Sequence, residues 1–186
     1  EDPKLAKGVV KRGVVRVVTP GTAIDPSMFS DATNNYLMAL SGKNEDFGVS
    51  FLDVSTGEFM ATQFIDDPPY DRIASEVARM LPAECIVPLH LYGNEHLMQR
   101  LEELKVIVHE FDEIAFDTTN AREHLKQHFG VSTLEGMGCD TLPQAIAAAG
   151  AALNYAITTQ MRELGHVQSL STYSESEFMI LDSITL

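Results

Sequence analysis

Around Asp67-Pro68-Pro69 the apolar residues change their period, and that change restricts the chain to a mixed α/β plan. Before it, three stretches rich in β-formers follow one another with short polar breaks: residues 36–40, 47–54 and 58–65. The second alternates, with Val49, Phe51 and Asp53 on one face and Ser50, Leu52 and Val54 on the other. The breaks are turn-formers, Gly42-Lys43-Asn44-Glu45-Asp46 and Ser55-Thr56-Gly57, so the three stretches read as an antiparallel meander. After the prolines, Tyr70, Ile73, Ala74, Val77 and Met80 fall at helical spacing.

The remainder alternates. Residues 85–89 read as a short apolar strand, Leu97, Leu101 and Leu104 mark a helix behind Gly93-Asn94, and 106–108 reads as the next strand. Residues 120–129 form a third helix closed by Gly130. The longest helix is expected over 142–164, carrying Leu142, Ile146, Ala149, Leu153, Ile157, Met161 and Leu164. Little charge faces these residues until Arg162, so the helix is expected to be buried on more than one side, and Gly150 among Ala148, Ala151 and Ala152 would admit a close neighbour. The order β-β-β-α-β-α-β-α-α predicts an α/β fold: a mixed five-stranded sheet, antiparallel meander plus parallel crossovers, flanked by helices, which is the ribonuclease H-like architecture.

The flanks read differently. Residues 2–8 suggest a short helix ended by Gly8, 14–18 a strand stopped by Pro20-Gly21, and 22–35 a polar linker. A second polar, Ser-rich linker is expected over 166–176, and Phe178 to Leu181 begins a further strand-like segment. Three parts follow: 1–30, a tail of a preceding domain with its linker; 31–165, the main domain; and 166–186, a linker and the start of another domain. Glu1 at one end and the apolar Ile184-Thr185-Leu186 at the other suggest a piece of a longer protein.

The formal net charge is −14, from 27 acids and 13 bases. Lys4, Lys7, Lys11, Arg12 and Arg16 stand together near the start, so the rest of the chain carries a still larger acidic excess. Phosphate backbones repel such a body, which makes it a poor nucleic-acid surface. The five bases are the candidate nucleic-acid contacts, against the alternative of a solvated helix end. Cys85 and Cys139 have no metal-type spacing and read as free thiols of a reducing compartment. No long apolar run suggests a membrane span and no leader pattern opens the chain, so a cytoplasmic setting is expected.

Chemistry is thinly represented. A nuclease of this architecture needs carboxylates converging on divalent metals, and Asp53, Glu58 and Asp112 are the candidates. The first strand, Tyr36-Leu37-Met38-Ala39-Leu40, carries none, and Asp53 stands where turn hydrogen bonds need an acceptor. His124 and His128, four apart on a helix beside Glu123, offer two metal ligands without a third. Neither GxxxxGK[ST], GxGxxG nor GxSxG occurs.

The run Glu1-Asp2-Pro3-Lys4-Leu5-Ala6-Lys7-Gly8-Val9-Val10-Lys11-Arg12, continued by Val14-Val15-Arg16-Val17-Val18-Thr19-Pro20-Gly21-Thr22, closely resembles the end of the mismatch-recognition domain of the MutS family. Gly13 between them departs from the charged residue more usual there. Gly48-Val49-Ser50-Phe51-Leu52-Asp53-Val54-Ser55-Thr56-Gly57-Glu58-Phe59 resembles the second strand, turn and third strand of that family's connector domain. Phe178-Met179-Ile180-Leu181-Asp182-Ser183-Ile184-Thr185-Leu186 resembles the opening of its core domain. The resemblance implies a non-catalytic, ribonuclease H-like connector of a dimeric clamp that binds mismatched DNA, hydrolyses ATP with magnesium elsewhere in its length, and presents a surface to MutL. It implies no catalytic, cofactor or metal residue in this chain.

Overall fold

A computed structural model describes residues 17–22 and 34–174. Strands β1 (Leu37–Lys43), β2 (Asp46–Leu52) and β3 (Phe59–Ile65) form the meander, with Leu37 opposite Leu52 and Leu52 opposite Phe59. Helix α1 (Asp71–Met80) then crosses to β4 (Glu84–Val87), which pairs parallel with β1. The one-turn α2 (Leu89–Tyr92) and α3 (Glu95–Glu103) lead to β5 (Val108–Glu110), parallel to β4. Helices α4 (Thr118–Phe129) and α5 (Pro143–Gln160) follow, and β6 (Ser171–Thr172) adds to the far edge, parallel to β3. The sheet order is β5-β4-β1-β2-β3-β6.

Alternation gives this sheet two buried faces. Leu37 and Ala39 of β1 join Leu52, Ala61 and Ile86 against α4 and α5, while Met38 and Leu40 join Val49, Phe51 and Val87 against α1 and α3. The central strands therefore read as continuous apolar runs. Helix α5 lies so close to the sheet that a Cβ on Gly48 would stand 2.0 Å from the Gln144 carbonyl carbon. On its other side, a Cβ on Gly150 would stand 2.3 Å from the Ala121 Cβ of α4, the close approach expected of the small-residue run. Thirteen of its eighteen residues are buried, because sheet and α4 cover it from two directions.

Helix ends follow their local chemistry. Asn94 and Asp117 cap α3 and α4 by accepting the Leu97 and Asn120 amides at 3.1 and 2.9 Å. Gly130, at φ +66°, closes α4 in the left-handed region. Helix α1 is started from further back, by Asp66 Oδ2 accepting the Ile73 amide at 2.9 Å.

Three expectations change. The sheet has six strands, not five, because the polar stretch after residue 165 docks: Leu164, Val167 and Leu170 are buried and Ser171–Thr172 pairs with β3. The long helix ends at Gln160, with Met161 in the left-handed region at φ +51°, short of the 164 that its apolar stripe suggested. The strand expected over 106–108 begins two residues later, because the Val106 amide returns to Leu101 at 3.1 Å and closes α3 before pairing begins. The helix expected over 2–8, the start of the strand at 14–18 and the segment from Phe178 lie outside the described residues.

Candidate interdomain seams

Several buried polar side chains lie where the chain arrives at the sheet, among them Thr22, Asn35, Glu84 and Gln160, and Thr62 and Glu76 lie where it departs. The arriving segment crosses the start of β4 as a 3-10 turn, Pro20–Thr22, in which Gly21 and Thr22 are buried. It is held largely by its backbone. The Val17 amide donates to Thr159 at 2.8 Å, Gln160 Nε2 donates to the Thr22 carbonyl at 2.6 Å, and Asn35 Nδ2 donates to the Pro20 carbonyl at 2.7 Å. The Thr19 hydroxyl donates to Glu84 Oε1 at 2.5 Å and accepts from the Thr22 hydroxyl at 2.7 Å. Gly21 is required there: a Cβ would meet Glu84 Cγ at 2.8 Å and Leu37 Cα at 3.0 Å. Burial pushes the Glu84 carboxyl up, opposed by the Thr19 hydroxyl, His109 and the Gly21 amide.

The departing segment is held as specifically. His128 Nε2 donates to the Val167 carbonyl at 2.9 Å, and His166 Nε2 donates to the Val54 carbonyl at 2.7 Å. After β6, the Tyr173 amide bonds Ala61, and Thr62 Oγ1 donates to the Tyr173 carbonyl at 2.9 Å. The Tyr173 hydroxyl reaches back to buried Glu76 at 2.6 Å, while the Arg79 guanidinium pairs with the same carboxylate and lies 4.7 Å from the Tyr173 ring centre. Burial, and then the Glu76 charge, push the Tyr173 phenol up.

The three candidate nuclease carboxylates have other duties. Asp53, buried, accepts from the Ser55 amide and hydroxyl at 2.8 and 2.6 Å, the Thr56 amide at 3.2 Å and the Asn35 amide at 3.2 Å, the turn role its position suggested. Glu58 accepts from Tyr36 and Asn34 at 2.6 and 2.8 Å; burial first and this bond second push the Tyr36 phenol up to about 12. Asp112 caps the short 3-10 turn Glu113–Phe116 through the Ile114 amide at 3.0 Å. Among the described residues no three His, Cys, Asp or Glu side chains are placed to hold a metal ion. His128 is engaged with the departing segment. His124 borders a cleft of about 210 Å³ with Asn120 and Asn154, its imidazole pushed down by burial and then by His128. Cys85 and Cys139 are free, buried thiols. Lys4, Lys7, Lys11, Arg12 and Arg16 lie outside the described residues.

Glu84, Gln160, Glu76 and Tyr173 escape sequence reasoning. Their signal was faint: a charged residue opening an otherwise apolar strand, and a glutamate on the inner face of α1.

The described residues thus form an α/β body that holds its own chain by specific contacts both before β1 and after α5. A family model for MutS domain II matches residues 35–168. A DNA mismatch repair protein MutS from Methanococcoides burtonii is 67% identical over the whole chain, which covers 21% of that protein. Proteins of the same name from Methanosarcina acetivorans and Symbiobacterium thermophilum are 62% and 39% identical, again over the whole chain and 22% and 21% of their own lengths. The chain belongs to the MutS family, with its domain II at residues 35–168. It spans about a fifth of the length of these relatives.

Proposed function

We propose that this chain is the non-catalytic connector of a MutS-type DNA mismatch repair ATPase. It joins a mismatch-recognition domain, ending within residues 1–30, to a core domain that begins within 166–186, and the body between them offers a docking surface to MutL. The observation that carries this reading is the double anchorage. Four hydrogen bonds, donated by Val17, Thr19, Asn35 and Gln160, fix the direction of the arriving segment. A short strand and the Tyr173–Glu76 bond fix that of the departing one. Motion of one neighbour is then passed through a packed body to the other. The ribonuclease H-like reading is supported by the order β5-β4-β1-β2-β3 with β2 antiparallel to its neighbours.

The electrostatics fit the same division of labour. The acidic body suits a protein partner, while Lys4, Lys7, Lys11, Arg12 and Arg16 belong to the part that approaches DNA. ATP and magnesium act in another part of a dimeric, cytoplasmic parent protein. No described helix is long and apolar enough to cross a membrane. Calorimetric titration of the purified chain with the N-terminal ATPase region of MutL from the same organism tests the docking role. Saturable binding is expected, and absence of any binding heat over a range of temperatures would contradict it.

A further inference from the structure

Glu84 is a buried carboxylate with half of its acceptor capacity idle. Oε1 takes the Thr19 hydroxyl, but Oε2 accepts no hydrogen bond among the described residues. The basic side chain beside it is His109 of β5, whose Nε2 lies 3.7 Å from Oε2 and whose side chain is 46% exposed while that of Glu84 is 0% exposed. An ionised carboxylate held in that way is costly unless a charge or a proton joins it. Lifting the Thr19–Pro20–Gly21–Thr22 turn would restore water to Glu84, so the cost falls on the seated state alone.

We propose that Glu84 is a proton-controlled latch on this turn: a proton on its carboxyl holds the turn in its seat, and its loss lets the turn lift. The groups facing Glu84 are Thr19 and Gly21 from the turn, His109 from β5, the Tyr155 phenol from α5 and the Cys85 thiol on its own strand. Burial pushes the Tyr155 phenol and the Cys85 thiol up, so neither ionises near neutral pH. The proton that matters is thus the one on Glu84. Burial raises the proton affinity of Glu84 in the seated state above that in the lifted state, so seating favours proton uptake. Seating strengthens as pH falls and weakens as pH rises through the raised Glu84 value.

Connecting the latch to a neighbouring domain rests on the connector reading, but its chemistry does not. It is tested on this chain without MutL, so the two ideas fail separately. Amide hydrogen exchange at Val17 and Gly21, corrected for the intrinsic rate, reads the seat directly. Protection is expected to fall roughly fivefold between about pH 5.5 and 8, while Val49 in β2 stays constant. Glu84→Gln removes this pH dependence while keeping the Thr19 bond, whereas His109→Gln leaves the buried carboxyl in place and keeps the dependence. Equal protection of the wild-type seat at both pH values, or wild-type pH dependence in Glu84→Gln, overturns the latch.

Discussion

At Gly48 and Gly150 the packing leaves no room for a side chain. Gly150 sits where α5 crosses α4, and an added methyl meets Ala121 backbone as well as its Cβ, at 2.6 and 2.3 Å. Gly150→Ala would ordinarily favour a helix; here overpacking wins, and urea unfolding is expected to show a loss of about 1–3 kcal/mol. An unchanged midpoint would mean that the two helices separate freely. Gly150 was legible because alanines surround it in sequence. Gly48 was not, because its neighbour is the backbone of Gln144, almost a hundred residues further on. The same distinction separates the carboxylates. Asp53 betrays its role through Ser55-Thr56-Gly57 immediately after it, whereas Glu84 finds Thr19 across 65 positions.

At the scale of elements, strong periods were read correctly and weak ones were not. The meander, α1 and α4 carry four or more apolar residues at a clear spacing or are bounded by caps. The departing segment carries only Leu164, Val167 and Leu170 among polar residues, and β6 is two residues long, too short for alternation to show. It is nonetheless bound, and Tyr173 is the bond that can be removed alone. Tyr173→Phe keeps the ring over Arg79 and deletes the 2.6 Å hydrogen bond to buried Glu76. A cost of about 1–3 kcal/mol is expected in chemical denaturation, with faster exchange of the Tyr173 amide than of amides in β2. Equal exchange of the Tyr173 amide in variant and wild type would show that the phenol does not hold this segment.

At the scale of the whole molecule, the order of elements was enough to give a mixed sheet between helices, since a meander followed by crossovers leaves few ways to cover both faces. What it did not give was the pair of seams. Those depend on which polar side chains end up beneath the arriving and departing segments, and that is decided by tertiary approach rather than by local spacing. The proposed connector role asks of this body that it act as a link, and the seams are the contacts that would carry it. Gly21→Val tests it in the full-length protein, because the seat beneath Gly21 has no space for a side chain. The measurement is ATP-dependent recruitment of MutL to mismatched DNA. With the arriving turn unseated, mismatch binding and ATP hydrolysis should persist, while their coupling to recruitment, about 1–3 kcal/mol in typical allosteric proteins, is largely lost. Recruitment that keeps its wild-type dependence on ATP in this variant, with the turn shown by hydrogen exchange to be unseated, would contradict the connector account.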